Sequence, residues 1–361
     1  MKRICFLVGN LNNSGGTERV TSLIANELVK ENFSISILNL EDGGNPFFKL
    51  DDRISVDSLY SKKVSYKMYF IPTLWKIRNY VLKNKIDTLI VVDSISCVLT
   101  VPALFGLKIK HICWEHFNFN TNVGLKFRDL GRQWAAKYCD YVVTLTKRDK
   151  ELWEKGLDRI KAKIVAIPNP VPFENIDNIP KLEYKTILSV GRYTYQKGFD
   201  MLIDAWALAC KDNAEWMLRI VGSGEDEDQL KDQAKKLGIF DRIEFIAPTK
   251  NIEQYYKTSS FYCMSSRFEG LPMVLLEAQS FGLPLIAYDC DTGPSDIIKN
   301  DVNGFLIKAY NIEEYKESML SLIMLNDEKY HKMVTSSKKN MEDFLIKKVK
   351  FCWMSLFESY E

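Results

Sequence analysis

The sequence lacks long apolar runs and closely spaced cysteine pairs. Nowhere in its 361 residues are there roughly 18 consecutive apolar residues, so no segment is expected to span a membrane. The first apolar run is only about five residues long, which is too short for a secretory signal peptide. The eight cysteines include no C-x-x-C pair. This favours reduced, mostly buried thiols in a cytosol over a disulfide framework or a zinc site.

The sequence also lacks an excess of either charge. Lys and Arg number 49 and Asp and Glu number 47, which gives a formal net charge of +2. No global field therefore points to nucleic acid or to another polyanion, and no nucleic-acid partner is expected. Any electrostatic partner must be recognised locally.

Short apolar runs alternate with amphipathic stretches through most of the chain. This pattern predicts parallel strands covered by helices on both faces, an α/β fold, and the length suggests two domains. The prediction is a Rossmann-like domain over 1–170, a polar linker over 171–183, a second Rossmann-like domain over 184–335 and a C-terminal helix within 336–361. Packing of that helix on the first domain is left open. Ligands of doubly wound sheets bind at the carboxyl ends of the strands, so two such domains facing across a cleft are expected to share a site.

A glycine-containing loop, "GNLNNSGGTERV", joins the first predicted strand to the first helix. Gly15 and Gly16 would let the backbone approach a phosphate at a helix N-terminus, although a tight turn also uses glycine. The Walker pattern and the six-residue Rossmann fingerprint are both absent. The loop therefore supports neither a P-loop NTPase nor an ordinary NAD enzyme.

Two cations and a second glycine loop follow strands of the second domain. Arg192 and Lys197 in "GRYTYQKG" suit a diphosphate, whereas isolated basic residues in loops are usually only solvated. Gly222 lies in "VGSGEDED", and the acidic residues behind it suit a helix start. A G-x-G pattern alone is weak evidence for a site.

The stretch "RFEGLPMVLLEAQSFGLP" combines a helix start with two carboxylates. Pro272 suits the first helical position, which would leave the amides of Met273 and Val274 free for a sugar phosphate. Carboxylates beside an anion are unfavourable unless they bind neutral hydroxyls, so Glu269 and Glu277 indicate a nucleotide sugar. The donor-binding residues expected in this stretch are Glu269, Gly270, Met273, Val274 and Glu277.

Histidine is scarce, and His116 in "HICWEHFNF" is the one of three predicted at the carboxyl end of a strand. It is a candidate for hydrogen bonding or proton handling at a sugar, although a structural role at the rim is also open. His111 and His331 are expected to be structural or exposed. Asp289 and Asp291 form a D-x-D, but they precede a late glycine-proline turn, so no metal site is predicted there.

These motifs together resemble a known family, the retaining glycosyltransferases of family 4, which have the GT-B fold. The matching segments are "SGGTERV", "WEH", "IPNPV", "GRYTYQKGFD", "VGSGE", "SSRFEGLPMVLLEAQSFGLPLIAYDCDTGPSDII" and "NGFLI". Within the family, the chain is similar to bacterial enzymes of surface-polysaccharide and lipid-linked oligosaccharide assembly. It departs from the family at Ala247 and Pro248, where glycine is frequent, and at Thr17, where alanine is common.

The resemblance implies a role for each matching residue. Arg192 and Lys197 would neutralise the donor diphosphate, Glu277 would hold the ribose and Glu269 the donor sugar. Gly16 would face the phosphates. His116 would touch the sugar near the reacting carbon, so the expected catalytic residues are His116, Glu269, Arg192 and Lys197. The family needs no metal or other cofactor, and the departing diphosphate helps to deprotonate the acceptor.

The acceptor must be inferred from residues 61–85, which carry several Lys and Arg, no acidic residue, and interleaved Tyr, Phe and Trp. Such a stretch suits a membrane surface that bears a lipid-linked acceptor. A solvated helix face with its aromatic side chains in the core is the alternative. The favoured location is cytoplasmic, peripheral on the inner face of the cell membrane.

The predicted function is transfer of a hexose or N-acetylhexosamine from a nucleotide sugar, UDP-linked, to a lipid-linked or oligosaccharide acceptor. The alternatives are a nucleotide-sugar epimerase or sugar phosphorylase of the same fold, and a catalytically silent nucleotide-sugar binding subunit of a glycan-assembly complex. The intact set of Arg192, Lys197, Glu269 and Glu277 argues against the silent subunit.

Overall fold

The chain forms two compact units in a computed structural model that describes residues 1–122, 124–174 and 176–358. Unit 1 contains Met1–Pro170 and the C-terminal segment from Ile346, and unit 2 contains Val171–Leu345. The segment expected as a linker, 171–183, thus belongs to unit 2, as do residues 336–345. Residues 359–361 of the expected C-terminal helix lie outside the described part.

Unit 1 is built on a parallel sheet of seven strands. They are β1 (Lys2–Val8), β2 (Phe33–Asn39), β3 (Ser55–Ser58), β4 (Thr88–Val92), β5 (Lys110–Trp114), β6 (Tyr141–Thr144) and β7 (Lys163–Ala166). Their order across the sheet is β3-β2-β1-β4-β5-β6-β7. The central strands are continuous apolar runs because helices cover both faces of the sheet.

Six α-helices belong to the described part of unit 1. They are α1 (Gly16–Leu28), α2 (Phe70–Lys83), α3 (Cys97–Leu104), α4 (Lys126–Tyr138), α5 (Lys147–Gly156) and, from the C-terminal segment, α13 (Ile346–Glu358).

The last helix, α13, is bound to the sheet of unit 1. The Nζ atoms of Lys2 and Lys110 donate hydrogen bonds to the carbonyl oxygens of Phe357 and Leu356, at 2.7 and 2.6 Å. The rings of Trp353 and Trp114 pack edge to face with their centroids 4.8 Å apart. The helix therefore completes the core of the first unit.

Unit 2 repeats the arrangement with six parallel strands. They are β8 (Thr186–Val190), β9 (Met217–Val221), β10 (Ile243–Ile246), β11 (Phe261–Met264), β12 (Leu285–Asp289) and β13 (Gly304–Lys308). Their order is β10-β9-β8-β11-β12-β13. The helices are α6 (Phe199–Ala209), α7 (Glu227–Lys236), α8 (Glu253–Lys257), α9 (Met273–Ser280), α10 (Pro294–Ile297), α11 (Ile312–Ile323) and α12 (Asp327–Asn340).

The strand order reverses once in each sheet, between β1 and β4 in unit 1 and between β8 and β11 in unit 2. In open parallel sheets, ligands bind beyond the carboxyl ends of the strands at such a reversal. The prediction of two Rossmann-like parallel-sheet domains is confirmed. None of the helices in the described part combines the length and the apolar character needed to cross a bilayer.

Candidate functional site

The loops after β8 and β11 are joined by an ion pair between two predicted residues. The Nζ atom of Lys197 lies 2.6 Å from Oε1 of Glu269, and the two side chains are only 17% and 9% exposed. The next residue, Gly198, has a φ of +62°, and a Cβ atom there would lie 2.3 Å from the carbonyl oxygen of Ser265. Glycine therefore lets the Lys197 loop lie directly on the neighbouring strand end.

A second ion pair, which is bidentate, also fixes these two loops. It was not predicted from the sequence. Arg267 donates to both carboxylate oxygens of Asp200, at 2.9 and 2.6 Å, and its backbone amide donates to the carbonyl of Gln196 at 2.8 Å. Arg192, by contrast, is exposed. Its side chain forms no hydrogen bond or ion pair with any other residue that the structure describes. Arg192 is therefore a cation available to an anionic ligand.

The glycine loop after β9 packs against the loop after β8. A Cβ atom on Gly222 would lie 1.8 Å from the carbonyl oxygen of Gly191, and one on Gly224 would lie 2.2 Å from that of Tyr193. The amide of Tyr193 also donates to the carbonyl of Ser223 at 2.9 Å. Gly222 is thus required for close backbone packing, a role that the weak G-x-G pattern did not reveal.

Helix α9 begins one residue later than predicted, because Pro272 is its N-cap and Met273 its first helical residue. Proline has no amide to donate, so it ends the loop without adding an unpaired donor. Among the residues that the structure describes, no side chain caps this helix start. The amides of Met273 and Val274 are therefore first-turn donors without an intrahelical acceptor, as the sequence predicts.

The loop before α9 is held by a close backbone approach. Gly293 has a φ of +99°, and a Cβ atom there would lie 2.6 Å from both the carbonyl oxygen of Gly270 and Cδ of Pro272. The hydroxyl of Thr292 donates to the carbonyl of Glu269 at 2.7 Å. These contacts fix the backbone that carries Glu269.

Glu277 lies inside α9 and is 6% exposed. Its Oε2 atom accepts a hydrogen bond of 2.8 Å from the hydroxyl of Tyr256, whose ring stacks on Phe281 with centroids 5.2 Å apart. Tyr256 was not predicted from the sequence, because it precedes its partner by 21 residues and carries no motif. Its hydroxyl fixes the orientation of the carboxylate.

In unit 1, Gly15 is the N-cap of α1 and Gly16 is its first residue. The backbone of Gly15 is extended, with φ −77° and ψ 167°, a conformation open to any residue. A Cβ atom added to Gly15 would lie 2.4 Å from Oε2 of Glu18, at the flexible end of that side chain. The geometry at Gly15 does not require glycine for a tight turn, and none of the described side chains caps the start of α1.

His116 follows β5 and its ring packs on Trp114, with centroids 4.5 Å apart. Its Nε2 atom is buried and has no hydrogen-bond partner within the residues described. Buried polar atoms without partners are uncommon and call for an explanation, such as a ligand. Burial lowers the pKa of His116 to about 3, so the ring is neutral near pH 7 and acts as a hydrogen-bonding group.

Glu115 anchors the backbone at His116 and is 1% exposed. Its Oε1 atom accepts hydrogen bonds from the amides of His116 and Phe117, at 3.0 and 3.1 Å. The Nε atom of Arg132 lies 3.3 Å from the other carboxylate oxygen of Glu115. Arg132 is also buried, and its guanidinium donates hydrogen bonds to three backbone carbonyls. These contacts hold the carboxylate of Glu115 in one orientation.

Asp93, at the carboxyl end of β4, extends this network. Its Oδ2 atom lies 3.0 Å from Nη2 of Arg128, and its backbone has the unusual φ of +80°. Burial and the charge of Glu115 raise the pKa of Asp93 to about 7. Strained backbone of this kind concentrates at functional sites. No sequence motif indicated Asp93, Arg128 or Arg132, because their pairing depends on contacts between distant segments.

The structure also places the remaining candidates. His331 is exposed, and His111 is 5% exposed. Among the described residues, Asp289 and Asp291 belong to no group of three ligands at metal-binding separation. Residues 61–85 contain α2, which carries exposed apolar side chains on one face, with Trp75 64% exposed.

Two family models cover most of the chain. The model of the glycosyl transferases group 1 matches residues 173–340, and the model of glycosyltransferase family 4 matches residues 14–175. The two matches correspond to unit 2 and to most of unit 1.

Two relatives match along almost their whole length. An uncharacterized glycosyltransferase of Haemophilus influenzae is 40% identical, with 99% of this chain and 100% of the relative covered. A Campylobacter jejuni enzyme is 29% identical over 99% of this chain and 98% of its own length. Its name is GalNAc-alpha-(1->4)-GalNAc-alpha-(1->3)-diNAcBac-PP-undecaprenol alpha-1,4-N-acetyl-D-galactosaminyltransferase.

A solved structure supports the fold. TarM of S. aureus, crystallised with UDP, superimposes with a TM-score of 0.83 over 99% of this chain and 100% of its own, at 16% identity. On the fold, the two family models and the relative of 40% identity, the chain belongs to the GT-B glycosyltransferases of family 4 and is an enzyme that transfers sugar.

Proposed function

We propose that the protein is a retaining glycosyltransferase that moves a hexose or N-acetylhexosamine from a UDP-linked sugar to a lipid-linked or oligosaccharide acceptor in bacterial surface glycan synthesis. One arrangement carries the proposal: the Lys197–Glu269 pair joins the loop after β8 to the loop that leads to the amides of Met273 and Val274, which have no intrahelical acceptor. Cations and amides suit the diphosphate, and carboxylates suit sugar hydroxyls.

Departure of the diphosphate is the step that this arrangement favours. As the bond between the sugar carbon and the diphosphate oxygen breaks, the electron pair stays on that oxygen. Arg192, Lys197 and the N-terminus of α9 stabilise the negative charge that develops there. The acceptor hydroxyl forms the new bond on the face that the diphosphate leaves, and its proton passes to a diphosphate oxygen. No metal is needed in this scheme.

The carboxylates and His116 recognise the neutral parts of the donor. Glu269 is oriented by Lys197 and holds the hydroxyls of the donor sugar. Glu277, with one oxygen on Tyr256, holds the ribose. The buried Nε2 of His116 hydrogen-bonds the sugar near the reacting carbon, a use supported by its lack of a partner within the described chain.

The chemistry of donor and acceptor rests on the relatives. The printed name of the Campylobacter jejuni enzyme describes N-acetylgalactosaminyl transfer to a glycan on undecaprenyl diphosphate. The TarM crystal contains UDP. We therefore infer a UDP-linked donor and a glycan carried on a polyprenyl diphosphate.

A lipid-carried acceptor requires access to a membrane surface, and α2 supports such access. The side chains of Ile71, Trp75 and Leu82 are 68%, 64% and 53% exposed. They recur at helical spacing on one face, whereas Ile77 and Val81 on another face are buried. The exposure of Trp75 argues against the alternative in which the aromatic side chains of this segment all lie in the core.

Two further features extend this apolar face. Phe105, after α3, is 84% exposed, and its carbonyl accepts a hydrogen bond of 2.8 Å from Nη1 of Arg78 on α2. Exposed lysines, Lys62, Lys63 and Lys67, precede the helix. Apolar side chains beside basic ones suit an anionic bilayer, and we propose peripheral attachment to the inner face of the cell membrane.

A UDP-release screen tests the function. The full chain is incubated with a panel of nucleotide sugars, with and without membrane extract as acceptor. Release that depends on both donor and acceptor supports transfer, and EDTA should leave it unchanged. Conversion of donor without acceptor would indicate an epimerase, a requirement for inorganic phosphate would indicate a phosphorylase, and binding of UDP without any turnover would contradict the proposal.

A further inference from the structure

Two thiols and an imidazole meet inside unit 1, away from the carboxyl ends of the strands. They belong to Cys97, the first residue of α3, to His111 near the start of β5, and to Cys139, which follows α4. The three residues are 0%, 5% and 5% exposed. One ligand atom of each lies within 4.8 Å of those of the other two. The transfer reaction uses none of them.

We propose that Cys97, His111 and Cys139 bind a structural Zn²⁺ ion. Thiolate and imidazole are ligands that zinc prefers, and two thiolates with a neutral imidazole cancel the charge of the ion. A buried site of this composition carries no net charge, which limits the cost of removing the ion from water.

The one ligand separation that the structure fixes agrees with zinc geometry. Sγ of Cys139 lies 3.5 Å from Nδ1 of His111. Tetrahedral zinc with bonds of about 2.3 Å to sulfur and about 2.0 Å to nitrogen separates those two ligand atoms by roughly 3.5 Å. The ion therefore fits without moving these two side chains apart.

The surroundings hold the imidazole in the required orientation. Its other nitrogen, Nε2, lies 3.0 Å from Oγ1 of Thr100, so an Nε2–H donated to that hydroxyl leaves Nδ1 free for the metal. The backbone amide of His111 donates to the carboxylate of Asp140 at 2.7 Å, and the amide of Asp140 donates to the carbonyl of His111 at 2.8 Å. These bonds tie the strand to the segment that carries Cys139.

The neighbouring thiol of Cys113 is not one of the three grouped ligands. It lies two residues after His111 on β5, hence on the same face of the sheet. The cysteine spacing favoured reduced thiols over a zinc site because Cys97, His111 and Cys139 come from three separate parts of the chain rather than from closely spaced pairs.

Metal analysis of the full-length protein, purified without chelators under reducing conditions, tests the proposal. The wild type should contain about one zinc per chain, and the variants Cys97→Ala and Cys139→Ala should each contain less than roughly a fifth of that amount. Cys5→Ala is the matched control, because Cys5 is also fully buried in unit 1 but outside the cluster. It should keep its zinc.

A second measurement, on the wild type, tests the proposal even if the variants fail to fold. Wild-type protein unfolded in urea with a chelator and refolded with Co²⁺ should develop the absorption of a tetrahedral cobalt–thiolate complex. The proposal is overturned if the wild type binds neither zinc nor cobalt, since the thiols and imidazole then simply hydrogen-bond one another. A disulfide between Cys97 and Cys139 in thiol mapping would also overturn it, as would zinc retained in both folded variants.

Discussion

Lys197 and Glu269 form a nearly buried ion pair, with Nζ and Oε1 2.6 Å apart, that links the loop after β8 to the loop before α9. In the proposed reaction the ammonium also stabilises the departing diphosphate. Lys197→Ala should lower kcat by roughly 100-fold to 1,000-fold, the usual effect of removing one group that stabilises transition-state charge. UDP release gives the rate, and circular dichroism checks that the fold is retained.

Lys231→Ala is the control for that substitution. Lys231 forms an ion pair of the same length with Glu227, but on the surface of α7. Surface pairs contribute little, so its turnover should stay within about twofold of the wild type. Near-normal turnover of Lys197→Ala would contradict the proposed role.

Gly222→Ala should disturb the cation-bearing loop without touching a charge. The new methyl group would lie 1.8 Å from the carbonyl oxygen of Gly191, so one of the two loops must shift. We expect a loss of about 1–3 kcal/mol in the free energy of unfolding, as for other overpacked sites, measured by urea denaturation. Gly44→Ala is the control, because a Cβ atom there meets no atom within 4 Å. Equal stabilities of the two variants would count against the packing role.

Tyr256→Phe removes the hydroxyl that orients Glu277. A hydrogen bond to a charged group is worth about 1.5–3 kcal/mol, so the free energy of unfolding should fall by an amount in that range. If Glu277 holds the ribose, the KM for the nucleotide sugar should rise more than kcat falls. Tyr255→Phe, on the same helix, should change neither. An unchanged KM in Tyr256→Phe would contradict the proposed role of Glu277 in binding the donor.

The lowered pKa of His116 predicts that the protein becomes less stable in acid. Burial lowers its pKa to about 3 in the folded chain, whereas a histidine in an unfolded chain has a pKa of about 6.5. Between these values the unfolded state binds the extra proton, so the free energy of unfolding falls as the pH drops below about 6.5. His116→Asn removes this contribution.

The effect is measured by urea unfolding at two pH values. Between about pH 7.5 and about pH 5, the loss of stability should be smaller in His116→Asn than in the wild type by about 2 kcal/mol. His331→Asn is the control, because that side chain is exposed. Identical losses in wild type and His116→Asn would show that the imidazole titrates normally in the folded protein.

The exposed face of α2 predicts binding to anionic vesicles. Trp75→Glu places a carboxylate where an apolar side chain would enter the bilayer, so the fraction that cosediments with vesicles containing an anionic phospholipid should fall severalfold. Met324→Glu, at an equally exposed apolar residue of unit 2, should bind like the wild type. Cosedimentation of Trp75→Glu at the wild-type level would remove α2 from the membrane contact.

The alternation of apolar and amphipathic segments was sufficient to predict both parallel sheets, but it missed the elements without a clear period. Helix α3 is apolar on all sides and contains Pro102, so its sequence has no helical stripe. Strand β3 is a short, mostly exposed edge strand of polar residues. The expected final helix is two helices, since the backbone of Leu345 is extended between α12 and α13.

The residues of the candidate site were likewise predictable from the sequence only in part. Residues within one motif, such as Glu269 and the amides after Pro272, could be predicted because their geometry is local. Partners such as Tyr256 and Arg132 could not, because their roles arise only when distant segments meet. Sequence patterns supply the groups that would touch the donor, whereas the groups that orient them become visible only in the folded chain.

The return of α13 to unit 1 has a consequence for biosynthesis. Trp353, which packs against Trp114, is translated after the whole of unit 2. The first unit therefore cannot complete its core while the ribosome is still making unit 2, although most of its residues emerge first. Unit 2, made of one continuous stretch, can close earlier. The order in which the two units finish folding is thus expected to be the reverse of their order along the messenger.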